Sequence, residues 1–211
     1  MLRVGLTGSI GCGKSTVAAM MNDLGCHIIN ADKMAHLLIA PGEPAYDEVV
    51  RKFGTHILAP DKSVDRTRLA SIVFGDANKL AALNAIVHPH VLREIDREFD
   101  RLAAKDPQGV GVVEAALLIE SGYHQKLDRL VLVICTREQQ LERLTLPSFG
   151  RAMARDQAEK RIASQMPLEE KRKTAAGMIA EIDCSGSLEY TRRQVQTLVE
   201  NLKQMAGASA S

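Results

Sequence analysis

The sequence predicts an α/β protein with a central parallel sheet between helical layers, interrupted by a helical insertion and a helical lid. Three observations lead there. An apolar run at 3–7 passes directly into Gly8-Ser9-Ile10-Gly11-Cys12-Gly13-Lys14-Ser15, which fits G-x-x-x-x-G-K-[ST], and then into a helical spacing of Val17, Met20, Met21 and Leu24. Further short apolar runs at 26–30, 110–114, 127–135 and 178–182 read as parallel strands. Between the second and third of these runs, residues 45–90 are polar and helical in pattern, without good strands. Strand, glycine loop and helix start together make a phosphate-binding loop, so the fold expected is the three-layer P-loop NTPase type.

The chemistry of the loop follows from its residue types. Gly8, Gly11 and Gly13 let the backbone turn back and aim successive N–H groups into one concavity, to which the helix N-terminus adds partial positive charge. Cys12 and Thr16 belong to the same amide cradle, Lys14 has the reach for β- and γ-phosphates, and the Ser15 hydroxyl suits Mg²⁺. The competing dinucleotide fingerprint G-x-G-x-x-G fails, because Thr16 stands where its third glycine should be.

The whole-chain properties set bounds. The 211 residues suffice for one α/β domain with an inserted subdomain, and the 45% hydrophobic content describes a globular chain. A formal net charge of +1 provides no global basic field for nucleic acid or an anionic membrane. Cys12, Cys26, Cys135 and Cys184 are scattered without a C-x-x-C pair and read as reduced thiols, not a disulfide frame or a zinc site. No apolar run approaches the ~20 residues that span a bilayer, and Val4-Gly5-Leu6 is too short for a signal-peptide core, so a soluble cytoplasmic protein is expected.

In chain order, the strand at 26–30 ends in Asn30-Ala31-Asp32, at the edge of the sheet where α/β proteins bind ligands. Asp32 has two readings there: N-cap of a helix over 33–38, or a catalytic base or Mg²⁺ partner; Asn30 reads as a turn residue. Pro41-Gly42-Glu43-Pro44 is a break. Three apolar stripes follow: Tyr46, Val49, Val50 and Phe53; then Leu69, Ile72, Val73 and Phe74; then Leu80, Leu83, Ile86 and Val87. Arg66 and Arg68 can hold an anionic group or simply be solvated. His88-Pro89 breaks the helix, which resumes at 90–102, and His88 is either a substrate contact or a structural hydrogen-bond partner. Glu114 ends the strand 110–114, where a carboxylate commonly assists Mg²⁺. Thr136 can cap a helix over 138–144. Arg143, Arg151 and Arg155 surround Pro147, Ser148, Phe149 and Gly150, either as a lid that closes on phosphates or as solvated helix charges. Helices at 156–165 and 168–176 flank Pro167, the strand 178–182 is weak, and 188–205 closes the chain as an amphipathic helix.

The ordered motifs resemble those of the dephospho-coenzyme A kinase family along nearly the whole chain. The glycine loop is shared with many kinases. Asn30-Ala31-Asp32, Asp65-Arg66-Thr67-Arg68-Leu69, Leu83-Asn84-Ala85-Ile86-Val87-His88-Pro89, Glu114-Ala115-Ala116-Leu117-Leu118-Ile119-Glu120 and Arg161-Ile162-Ala163-Ser164-Gln165 are more specific. The resemblance implies ATP- and Mg²⁺-dependent phosphorylation of the ribose 3′-hydroxyl of dephospho-CoA. It makes Asp32 the base, and Arg66 and His88 contacts of the substrate. Lys14 and Arg143 become catalytic, with Arg143 and Arg151 as the lid pair. It also implies a core of 1–40, 108–143 and 177–204, a CoA-binding insertion of about 41–107, a lid of about 144–176 and a flexible tail at 205–211. A monomer or weak oligomer is expected. Asn30 stands in place of the family's usual first aspartate, and Glu114 and Ala116 in place of aspartate and proline.

Overall fold

The computed structural model describes residues 1–73, 75–147 and 152–208. Strands β1 (Leu2–Gly8), β2 (His27–Asn30), β3 (Val110–Glu114), β4 (Arg129–Ile134) and β5 (Ile179–Asp183) form one sheet in the order β2-β3-β1-β4-β5. The pairs β1–β3, β1–β4 and β4–β5 are parallel, with Leu6 opposite Glu114 and Gly8 opposite Val133. Every residue of β3 is buried, as a strand covered on both faces requires. The weak apolar run near 178–182 does form the strand β5, because pairing with β4 supplies what its own composition lacks.

Two helices of the core share one packed cluster with the sheet. Val17 and Met21 of α1 (Lys14–Asp23) and Val195, Val199 and Leu202 of α9 (Leu188–Ala208) lie with Val4, Leu6, Val112, Val131 and Val133. The apolar spacing of both helices thus becomes a buried stripe against branched strand residues. α9 runs through Ala206, which is buried, to Ala208, so the helix extends into the segment expected to be tail. α6 (Arg137–Thr145) starts as its sequence suggests: Thr136 Oγ1 accepts from the Gln139 amide while the Gln139 side chain accepts from the Thr136 amide, a capping box. α7 (Arg155–Ala163) and α8 (Leu168–Thr174) follow.

The chain divides into two compact units, Met1–Ile29 with Phe99–Ser211, and Asn30–Glu98. The second contains α2 (Ala31–Leu38), α3 (Tyr46–Phe53), a 3₁₀ turn at Thr55–Ile57, α4 (Arg66–Val73) and most of α5 (Ala77–Lys105). Val49, Phe53, Leu69, Val73, Ile86 and Val87 are buried, so the three predicted stripes are the inward faces of these helices; Phe74 lies outside the described residues.

Two local expectations are corrected. The helix does not break at Pro89, since α5 passes through it over 29 residues. Proline removes one backbone donor there, and burial of Ile86, Val87, Val91, Ile95 and Phe99 along the same helix offsets that loss. The cap of α2 is Asn30, not Asp32: the Asn30 side chain accepts from the Lys33 amide at 2.8 Å. Among the described residues, no helix is long and apolar enough to cross a membrane.

Candidate active site

Carbonyls of the phosphate-binding loop accept side-chain donors. Lys14 Nζ donates to Gly8 O at 2.9 Å, Gln140 Nε2 to Ile10 O at 3.1 Å, and Arg143 Nη1 to Gly11 O at 3.3 Å. These donors fix carbonyls of the loop; of its amides, that of Ile10 donates to Gln165 Oε1 at 2.8 Å and that of Cys12 to Ser9 O at 3.2 Å. Gly13 is the N-cap of α1 in left-handed conformation (φ 99°) and supplies no side-chain cap, so α1 presents the open N-terminus of a helix. Gly8 is fixed by sterics as well as by φ (149°): a Cβ there would lie 2.3 Å from Val133 O of the neighbouring strand.

Ser15 and Glu114 meet at the end of the central strands. Ser15 Oγ donates to Glu114 Oε1 at 2.8 Å, and Glu114 is buried at the last position of β3. A hydroxyl and a carboxylate oxygen side by side at a phosphate loop are a hard-oxygen pair that fits Mg²⁺, whose other ligands in such sites are phosphate and water. The sequence placed Glu114 at a strand end; its contact with Ser15, 99 residues away, comes only from the parallel pairing of β1 with β3.

On the α6 side, the Arg143 guanidinium bridges two loops, donating also to Cys184 O at 2.9 Å. Gln139 Nε2 donates to Ser185 O at 2.7 Å, which fastens the loop after β5 to the same helix. Gln165, just beyond α7, accepts from the Ile10 amide at 2.8 Å. Gln140 and Gln165 are loop contacts that residue patterns did not single out, and Gln165 lies in the family-like Arg161-Ile162-Ala163-Ser164-Gln165 motif. Arg155 pairs with Glu159 at 3.2 Å within α7, a solvated helix pair. Arg151 lies outside the described residues, as do Ser148, Phe149 and Gly150.

In the second unit, Asp32 is an exposed residue in the first turn of α2, two residues beyond the end of β2. With Asn30 capping the helix, the Asp32 carboxylate is spared that task. His36, one turn on, has its pKa lowered by burial first and by the positive charge of Arg66 second, while Asp32 opposes them. His36 therefore lies in the field of both Asp32 and Arg66. Arg68 is committed elsewhere: it donates to Leu58 O at 3.0 Å and pairs with Asp65 at 3.1 Å. His88 is half-buried in α5, and burial lowers its pKa.

Comparisons with known proteins agree on one family. The family model described as dephospho-CoA kinase matches residues 2–186. A dephospho-CoA kinase from Carboxydothermus hydrogenoformans is 42% identical over 200 residues, covering 95% of this chain and 94% of its own. Among solved structures, one from Thermus thermophilus shares 33% identity with a TM-score of 0.75, over 95% of this chain and 97% of that one. The dephospho-CoA kinase of Campylobacter jejuni shares 26% with a TM-score of 0.69, over 96% and 97%.

Proposed function

The chain belongs to the dephospho-CoA kinase family, and from that premise we infer that Lys14, the loop amides, Ser15, Asp32 and Arg143 carry its reaction. The enzyme transfers the γ-phosphate of ATP to the ribose 3′-hydroxyl of dephospho-CoA and yields coenzyme A, the last step of CoA synthesis. The observation that carries this is the family match over residues 2–186 on a chain whose phosphate-binding loop leads into the N-terminus of α1, which has no side-chain cap.

Phosphoryl transfer needs positioning and charge neutralisation above all. The loop amides and the start of α1 bind the phosphate tail, and the Lys14 ammonium turns from Gly8 O to the β- and γ-oxygens. Arg143 adds positive charge at the loop while it holds Gly11 and Cys184 in place. Asp32 accepts the proton of the 3′-hydroxyl as that oxygen attacks phosphorus and the bond to the leaving ADP oxygen breaks. Its position after β2, its exposure and its release from capping all support this role. Arg66 and His88 belong to the side that receives dephospho-CoA, and Arg151 to the lid. Ser15 and Glu114 are the residues that would hold Mg²⁺, which when bound neutralises charge on the phosphates. The four free thiols suit a reducing cytoplasm.

ATP consumption measured in parallel with dephospho-CoA, nucleosides and nucleoside monophosphates, with the product identified by mass, tests the reading. Dephospho-CoA is expected to be the acceptor and CoA the product. Turnover confined to a nucleoside or nucleotide would make it a different small-molecule kinase, and hydrolysis without any acceptor would make it a regulatory NTPase.

A further inference from the structure

Three cysteines that the sequence scatters come together behind the phosphate-binding loop. Cys12 Sγ, inside the loop, lies 3.3 Å from Cys135 Sγ, which directly follows β4. Cys184, directly after β5, is buried under the same loop, and its sulfur would lie 3.5 Å from a Cβ on Gly13. Nothing in the phosphate-binding pattern calls for sulfur at position 12, and the transfer chemistry uses neither thiol.

We propose that Cys12 and Cys135 are an oxidisable dithiol, which a hydroperoxide converts to a disulfide that ties the phosphate-binding loop to the end of β4 and suppresses the kinase. The two sulfurs face each other at hydrogen-bond distance, with the Cys135 thiol donating to Cys12. Gln140 Nε2 also donates to Cys12 Sγ, at 3.2 Å. The Cys135 hydrogen bond, the nearby Lys14 ammonium and Gln140 together lower the Cys12 pKa against the opposing effect of burial, whereas the same contact and burial raise that of Cys135. Cys12 is therefore the nucleophile and Cys135 the resolving thiol. Cys12 itself is buried, and the partly buried Cys135 in contact with it is the side from which a small oxidant reaches the pair. Cys26, raised by burial to about 11, is the inert thiol of the set.

The chemistry balances. The Cys12 thiolate attacks the terminal oxygen of the hydroperoxide, the O–O bond breaks and the alkoxide leaves, taking up a proton as the alcohol. The Cys12 sulfenic acid that forms is then attacked by Cys135 sulfur. The S–S bond forms, the S–O bond breaks, and the hydroxide leaves with the Cys135 proton as water. Two thiols and one hydroperoxide thus give one disulfide, one alcohol and one water. Bonding draws the sulfurs from 3.3 Å to about 2.05 Å, so the loop or the end of β4 shifts by about 1 Å. A misplacement of that size at a reacting centre costs about 10²-fold in rate.

The test uses the full chain, reduced and desalted, then treated with hydrogen peroxide. Non-reducing peptide mapping is expected to show a Cys12–Cys135 link with loss of two hydrogens, two of the four thiols titrating afterwards, and kinase activity falling at least tenfold and returning with dithiothreitol. Cys135→Ser is expected to keep its activity before peroxide and, lacking the resolving thiol, to yield a Cys12 sulfenic acid trapped by dimedone in place of the link. Peptide mapping on the parent protein decides the point even if that variant folds poorly, and it reads the link whether or not the chain phosphorylates dephospho-CoA. Cys12 and Cys135 staying unlinked while other residues oxidise would overturn the proposal, as would a linked parent protein that keeps its full activity.

Discussion

Asp32→Asn separates chemistry from structure at the proposed base. The change keeps the shape of the side chain and removes its charge. The α2 cap is untouched, because it is the Asn30 side chain that accepts from the Lys33 amide at 2.8 Å. Asp32 is exposed, so what the fold loses is a favourable charge in the first turn of a helix, about 0.3–1 kcal/mol. For a chain of 211 residues that lowers Tm by at most about 4 °C. Loss of a general base costs about 10²-fold or more in turnover, and 10² corresponds to about 2.7 kcal/mol of transition-state stabilisation. Chemistry therefore exceeds structure severalfold. Steady-state rates with dephospho-CoA, an ATP titration and a thermal melt on one preparation resolve the two, with ATP affinity expected to persist. Asn30→Ala is the counterpart: loss of the cap costs about 1 kcal/mol, with turnover much less affected than in Asp32→Asn. Turnover of Asp32→Asn within about threefold of the parent would remove Asp32 from the base role.

Other expectations follow from particular contacts. Lys171 has no exposed side-chain surface, and its Nζ lies in ion contact with Glu120 at 3.0 Å without hydrogen-bond geometry. Lys171→Met strands the partly buried carboxylate and is expected to cost about 3 kcal/mol, seen as a Tm lower by roughly 6–12 °C. Adding Glu120→Gln should recover at least half of that, and simple additivity of the two losses in a thermal melt would argue against a coupled pair. Gly8→Ala forces a Cβ to within 2.3 Å of Val133 O, so a loss of at least ~2 kcal/mol in urea unfolding, together with weakened ATP binding, is expected. Burial lowers the His88 pKa, so the unfolded chain binds the proton first as pH falls. The contribution of His88 to stability is thus intact above its unfolded pKa of ~6.5 and lost as pH falls through the folded value. Tm should decline as pH falls below about 7, with a shallower decline in His88→Gln; equal slopes in the two proteins would count against it.

What the residue order determined by itself was local and periodic. The glycine loop, the five strand segments, the Thr136 cap and the helical stripe of Val49 and Phe53 are all set by neighbours within a few positions. Backbone sterics and the period of burial act at that range, which is why these features read directly from the chain. Even so, two short-range competitions were decided by context. Asn30 and Asp32 are both acceptable caps by type, and Asn30 took the role because β2 runs extended up to it and the helix starts at the next residue. Pro89 breaks helices by type, yet α5 runs through it because its apolar side is buried on both flanks. The remaining features belong to tertiary structure alone. Ser15 with Glu114, Ile10 with Gln165, Cys12 with Cys135 and Glu120 with Lys171 join residues about 50 to 155 positions apart. No periodicity marks such pairs, and for Ser15 with Glu114 and Cys12 with Cys135 what brings them together is the order of strands in the sheet. Once β1 lies between β3 and β4, the loop at its end meets groups from both neighbours, and that adjacency is a property of the packed sheet and of no single segment.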